Sequence, residues 1–254
     1  DGGFVITWMS YDQESHVPES NSYKVYGYGV YAQIYNADGN IVGDEFLVNT
    51  TITNHQGNPD ITVLDGGGFV ITWTSFEITN GEAGETESVV AAQIYDADGN
   101  KIGDEFQVST HDAYEHIPPS ITALNDGGFV ITWESNQNYY DGENGVYAQM
   151  YDSSGDTVGN EFLVNTTTDY ALKPAITVLN DGGFVISWIS LVPVLKYNVS
   201  IKIYDAEGSL VKDEFQVIPA ISWHQEFPAI TALNDDGFVI TWSSTAGDNG
   251  VYAQ

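Results

Sequence analysis

The chain has 254 residues, 42% hydrophobic and 13% aromatic, which is enough to bury a sizeable core. Thirty-six acidic residues face six basic ones, all of them lysines, for a formal charge of −30. That balance excludes nucleic-acid binding, an anionic membrane surface and any site that clamps a carboxylate or phosphate with arginine.

The absence of cysteine excludes thiol catalysis, thiolate zinc sites and disulfides. The longest apolar stretch, Phe184 to Leu195, is too short to cross a bilayer and contains Pro193. No signal peptide is visible, and the chain opens on Asp1, so a targeting segment is expected to have been cleaved or omitted. A cysteine-free acidic chain fits secretion from a bacterium.

The first predicted strand, FVITW, puts Phe4, Ile6 and Trp8 on one face and Val5 and Thr7 on the other. The second, VYAQIY at Val30, alternates in the same way. An NADGN turn then leads to a third strand, EFLV at Glu45, and a fourth, ITVL, opens at Ile61 just after Pro59 and Asp60. From there the series repeats. Variants of FVITW begin at Phe69, Phe129, Phe184 and Phe238, in steps of 65, 60, 55 and 54 residues. Variants of VYAQIY begin at Val90, Val146, Val199 and Val251. EFLV or EFQV recurs at Glu105, Glu161 and Glu214, and ITVL or ITAL at Ile121, Ile176 and Ile230. Asn125-Asp126-Gly127, Asn180-Asp181-Gly182 and Asp98-Gly99 supply the positive backbone angles of tight turns. No stretch keeps a helical period, so the protein is all-β.

Four strands per 54 to 65 residues is the size of one β-propeller blade. The expected architecture is a β-propeller-like array of four-stranded antiparallel blades, with the ITVL-type strands innermost. The whole chain is one repeat domain, with repeats at about 1–58, 59–117, 118–173, 174–227 and 228–254, the first and last incomplete. An immunoglobulin-like sandwich would pair repeats and let odd and even ones diverge, which they do not. Five full blades would need one more strand at each end, so either the natural chain continues or neighbours supply those edges.

The segments DGGFVITW, GVYAQIY, DADGNKIGDEFQVST and PSITALNDGG together resemble the tandem repeats of very large secreted bacterial proteins of the hemolysin-type calcium-binding (RTX) and adhesin class. The resemblance covers nearly the whole chain and implies a module of a multidomain secreted or surface protein. The glycine-aspartate nonapeptide GGxGxDx of RTX β-rolls is missing, so no β-roll calcium site carries over.

The acidic turns space hard oxygen ligands as calcium loops do: Asp96, Asp98, Asn100 and Asp104 in one copy, Asp38, Asn40 and Asp44 in another. The alternative is a solvated hairpin chosen for its backbone geometry. Calcium is thus the one cofactor expectation. His16, His55, His111, His116 and His224 form no HExxH pair, although three of them precede the proline that opens an ITVL strand. No G-x-S-x-G elbow occurs, and no pair of carboxylates stands out from the repeat. Propeller sialidases resemble the blade loosely but use arginines, which this chain lacks. The recurrent Trp8, Trp73, Trp133, Trp188 and Trp242 read as structural core, with a carbohydrate platform as the competing idea. Tyr23, Tyr26, Tyr28, Tyr139 and Tyr140 are the better sugar-stacking candidates. Asn49, Asn165 and Asn198 stand in N-glycosylation sequons.

Strands repeat almost unchanged while the loop after FVITW varies, which points to a non-enzymatic structural or adhesive module, secreted or on a cell surface. A carbohydrate-binding propeller is the alternative, and a glycan-active enzyme or its accessory domain the third reading. Expected partners are copies of the chain itself, then glycans or cell-surface polymers. The usually polar variable loop becomes apolar at Ile189 to Leu195, where Leu191, Val192, Val194 and Leu195 would meet another copy. Otherwise that loop folds back on its own blade.

Overall fold

The computed structural model describes residues 2–11, 27–51, 55–78, 86–110, 118–136, 144–166, 171–192, 196–217, 225–234, 237–244 and 250–254. These contain eighteen strands and no helix, all paired antiparallel with their sequence neighbours. The chain divides into two compact units, Asp1–Pro118 and Pro119–Gln254.

The first unit holds two sheets. One is formed by β1 (Phe4–Tyr11), β2 (Tyr28–Tyr35) and β3 (Ile41–Leu47). The other is formed by β4 (Gln56–Val63), β5 (Phe69–Ile78), β6 (Thr86–Tyr95) and β7 (Lys101–Gln107). The second unit holds three. β8 (Ser120–Ala123), β9 (Phe129–Asn136), β10 (Asn144–Tyr151) and β11 (Thr157–Leu163) form one. β12 (Ala171–Val178), β13 (Phe184–Val192), β14 (Lys196–Tyr204) and β15 (Leu210–Gln216) form the next. β16 (Gln225–Ala232), β17 (Phe238–Ser244) and β18 (Gly250–Ala253) form the last. The ITVL-type strands are edge strands, and in the second unit β12 lies beside both β8 and β16.

Burial on both faces of the middle strands drives this stacking. Phe69, Ile71 and Trp73 of β5 pack on Val30 and Ala32 of β2 and on Val48. Phe184, Ile186 and Trp188 of β13 pack in the same way on Val130, Val146 and Ala148. The opposite face of that sheet presents Val185, Val199 and Ile201 to Ile240 and Trp242. Each such side chain contributes roughly 1.5–3 kcal/mol when fully buried. Trp73, Trp133, Trp188 and Trp242 are all buried. Trp8 is half-buried.

Beside each tryptophan row runs a cross-strand stack. Phe69–Tyr95 and Phe129–Tyr151 have ring centroids 4.9 Å apart, and Phe184–Tyr204 5.0 Å, with nearly parallel planes. Such pairs add about 0.5–1.5 kcal/mol beyond the area they bury.

Polar contacts fix the spacing between sheets. Glu105 Oε2 accepts from Thr50 N (2.6 Å) and Thr50 Oγ1 (2.7 Å), and Glu214 Oε2 accepts likewise from Thr166. Lys101 Nζ donates to Val48 O at 2.8 Å. Within sheets, a bulge at the glutamine of VYAQIY leaves carbonyls that its own amide serves: Gln93 Nε2 donates to Ile94 O (3.0 Å) and Ile102 O (3.3 Å). In the fourth repeat Lys202 stands there instead. Its ammonium reaches Val164 O at 2.6 Å, with Asp213 at 3.5 Å.

One sequence expectation changes. The apolar segment from Ile189 is not a loop as far as Val192: β13 continues through it, pairing Leu191 with Tyr197 and Val192 with Lys196. Ile189 is buried and Leu191 half-buried, while Val194 and Leu195 lie outside the described residues. The sequon asparagines Asn49, Asn165 and Asn198 are buried, and Asn49 Oδ1 accepts from Val30 N at 2.8 Å.

Trp73 Nε1 donates to Gln56 Oε1 at 3.0 Å, whereas Trp188 Nε1 has no partner because Ala171 replaces that glutamine. Gln56→Ala is therefore expected to destabilise the protein by about 1–3 kcal/mol in urea unfolding, by orphaning a second indole N–H. Burial, with Glu105, Glu161 or the Asp213 and Glu214 pair nearby, raises the phenol pKa of Tyr95, Tyr151 and Tyr204 far above the ordinary value. Below pH 10 both states keep these protons. Above it the unfolded state releases them and the folded state does not, so stability falls by up to about 1.4 kcal/mol per pH unit per ring. Tyr204→Phe should reduce the slope of unfolding free energy against pH between pH 10 and 11.

Candidate functional site

Three edge strands share an unusual backbone. Asn58, Lys173 and Phe227 have φ of 53°, 51° and 54°, and each precedes a proline: Pro59, Pro174 and Pro228. The register slips at the same places, between Gly57 and Asp60, Leu172 and Ala175, and Glu226 and Ala229. A left-handed conformation costs a non-glycine residue roughly 1–2 kcal/mol, and a following proline disfavours the helical region further. Each bulge holds one side chain at a fixed, strained position beside the neighbouring sheet.

The residue after the repeat tryptophan meets the next bulge. Met9 Sδ lies 3.4 Å from where a Cβ on Gly57 would sit. In the second unit the equivalent residue is Glu134, whose Oε2 accepts from Lys173 N at 3.0 Å. Glu134 is 6% exposed and is the one buried carboxylate among the described residues. Lys173 then turns its ammonium onto Phe227, 3.8 Å from the ring centroid, and Phe227 is 63% exposed. A buried carboxylate, a cation and an open aromatic ring thus adjoin where β9 meets the bulges of β12 and β16. A carboxylate so placed can hold a hydroxyl or exchange a proton with it, and an open ring can stack on an apolar face.

The structure does not gather the calcium candidates. Asp96 Oδ1 accepts from Asp98 N (3.0 Å) and Asn100 N (2.8 Å), and Asp96 Oδ2 from Asn100 Nδ2 (2.9 Å). Asn36 Oδ1 caps the first turn in the same way, with Asp38 and Asn40 as donors, and Asp44 is exposed on β3. Asp104 is exposed on β7. These turns are closed by their own first side chain, and Gly99 has the φ of 83° that the hairpin requires. No group of three or more His, Asp or Glu that could hold a metal occurs among the described residues. His55 packs on Tyr28 and edge-on to Phe76, with ring centroids 5.6 and 6.4 Å away. His16, His111, His116 and His224, with Tyr23, Tyr26, Tyr139 and Tyr140, lie outside the described residues.

Sequence reasoning missed Glu134. The signal was present: at the position after the repeat tryptophan stand Met9, Thr74, Glu134, Ile189 and Ser243, and only one is acidic.

No protein-family model and no curated protein sequence matches the chain. Solved structures share its fold. A protein of unknown function from Dyadobacter fermentans superposes with a TM-score of 0.69 at 9% identity, over 100% of this chain and 75% of that one. The α-L-arabinanase of Penicillium chrysogenum, solved with arabinobiose, gives 0.61 at 13% identity over 87% and 72%. The GH93 α-L-arabinofuranosidase of Fusarium graminearum, also with arabinobiose, gives 0.58 at 11% identity over 88% and 72%. The fold is therefore a propeller-like all-β fold that glycosidases also adopt. This likeness overturns the expectation of a non-enzymatic structural or adhesive module. Adhesion and filament formation find no support in it. Among the described residues no helix is long and apolar enough to cross a membrane.

Hydrogen bonds to Asn100 and to the turn backbone hold the Asp96 carboxyl below the ordinary carboxylate range. Its contribution is present above an unfolded pKa near 3.8 and is lost as pH falls through the lower folded value. Asp96→Asn should keep the two backbone bonds, as Asn36 does, and remove this part of the acid dependence of the melting temperature.

Proposed function

We propose that the chain is a glycan-active domain whose five sheets act as propeller blades, and that it works outside the cell on a neutral, arabinose-containing polysaccharide. The carrying observation is Glu134, a carboxylate buried among strained bulges where nothing in the repeat requires an acid. Burial of an ionisable group without a repeat-wide counterpart is one physical pointer to a working site. The fold likeness to an α-L-arabinanase and an α-L-arabinofuranosidase, both solved with arabinobiose, supports the substrate class. Charge supports neutrality: a chain at −30 without arginine repels acidic glycans and has no guanidinium to hold a sialic-acid carboxylate. In this reading Glu134 is one of the two carboxylates that glycosidic hydrolysis requires.

Incubation with linear arabinan, arabinoxylan and sialyllactose, followed by chromatography of the products, tests the proposal. Arabinose-containing products and an intact sialoside are expected. Glu134→Gln should lower turnover about 100-fold or more while leaving the melting profile in place. Absence of turnover on every neutral polysaccharide would overturn the enzymatic reading.

A further inference from the structure

We infer that the fourth repeat holds a closed polar recess that binds neutral hydroxyl oxygens, one accepting from Trp188 Nε1 and one donating to Asn198 Oδ1. This goes beyond the glycan-active reading and stands without it. Three departures from the repeat meet on one face of β13. In the second repeat Gln56 and Val89 flank Ser75, and Ala91 lies opposite Trp73. In the fourth, Ala171 and Asn198 flank Ser190, and Ser200 lies opposite Trp188. Residues directly opposite across strands share a face. In the first, third and fifth repeats the Ser200 place carries a tyrosine stacked on its tryptophan: Trp8–Tyr31, Trp133–Tyr147 and Trp242–Tyr252. The fourth repeat alone combines a serine there with an asparagine beside it.

This face is buried and incompletely paired. Ala171, Trp188, Asn198 and Ser200 are each at most 1% exposed. The Ser190 and Ser200 hydroxyls share a hydrogen bond of 2.7 Å, and Asn198 Nδ2 donates to Gln216 Oε1 at 3.1 Å. Trp188 Nε1 and Asn198 Oδ1 have no protein partner. The indole N–H can only donate and the carboxamide oxygen can only accept. Buried polar atoms of this kind are met in native interiors by ordered oxygens. Alanine also lacks the carboxamide arm that meets Trp73 Nε1 at 3.0 Å in the second repeat. Its loss frees room on the scale of one water, about 30 Å³. A cation would oppose the indole N–H and an anion the carboxamide oxygen, so a neutral hydroxyl is the chemistry that suits both. Water and a hydroxyl of a neutral glycan share that chemistry, and closure of the face favours water. The recess lies on the side of β13 that faces the Glu134 sheet, since Val146, opposite Glu134 on β10, packs in one cluster with Ala171 and Trp188.

High-resolution crystal structures of the whole chain, alone and soaked with arabinobiose, and of Ala171→Gln test the site. In the wild type an oxygen is expected about 2.7–3.2 Å from Trp188 Nε1 and another at that distance from Asn198 Oδ1. Ala171→Gln restores the amide of the second repeat, so the oxygen at Trp188 should be lost and the melting temperature kept or raised. With water as the source, KM or Kd for arabino-oligosaccharides stays within about twofold in that variant. A glycan hydroxyl as the source raises it about tenfold or more and gives sugar density in the soaked crystal. A chain that binds no glycan overturns the glycan reading and leaves water in the recess. Wild-type crystals with no oxygen at either atom would overturn the site, whatever the glycan assays give. Should Ala171→Gln not fold, magnetisation transfer from water to the Trp188 indole N–H in wild-type NMR spectra decides the same question: a cross-peak supports the recess and its absence overturns it.

Discussion

Phe184 and Val185 are neighbours on β13, point to opposite faces of the sheet, and are both fully buried. A strand of that kind cannot face water on either side, so its sheet needs a partner in front and another behind. The repeat answers this requirement by making the two faces unlike. The leading face offers large rings, such as Phe69, Trp73 and Tyr95, and the trailing face offers small aliphatics, such as Val30 and Ala32. Large against small interdigitates without voids, which a face of identical residues on both sides would not do.

Close packing of sheets creates a polar problem that each repeat must meet again. The first N–H of the VYAQIY strand needs an acceptor, and it finds Asn49 for Val30, Ser109 for Val90 and Asn165 for Val146. In the fourth repeat the corresponding residue is Ile218, and Gln225 of the following sheet accepts from Val199 N at 2.9 Å instead. Gln225 Nε2 and Asn198 Oδ1 are then both buried without a partner. The scaffold therefore tolerates sequence drift by borrowing side chains across sheet boundaries, at the cost of a few unpaired buried atoms.

The number of strands, their order and the burial of four of the five repeat tryptophans were legible in the sequence, because period-2 alternation and turn chemistry are local. The left-handed residues at Asn58, Lys173 and Phe227 were not. A proline after them argues for extended backbone, whereas the left-handed φ comes with the register slip in each edge strand. Glu134 was hidden for a related reason: it pairs with a bulge in the next sheet, 39 residues on and invisible to a pattern read along one strand. The segment from Ile189 misled in the opposite sense. Its apolar run looked like an exposed loop because the equivalent positions elsewhere are polar, whereas Leu191 and Val192 simply extend a hairpin toward Tyr197 and Lys196.

The buried sequons have a consequence for how the protein can be made. Asn49, Asn165 and Asn198 reach solvent only before the chain has folded. In a eukaryotic secretory pathway the oligosaccharide is transferred to nascent, unfolded chain, before these sheets could close over the asparagines. A sugar tree would be attached to Asn49 Nδ2, which donates to Thr51 O at 2.9 Å, and a side chain only 2% exposed leaves no room for it. Synthesis in a compartment without oligosaccharyl transfer keeps these three amides free to be buried as they are here.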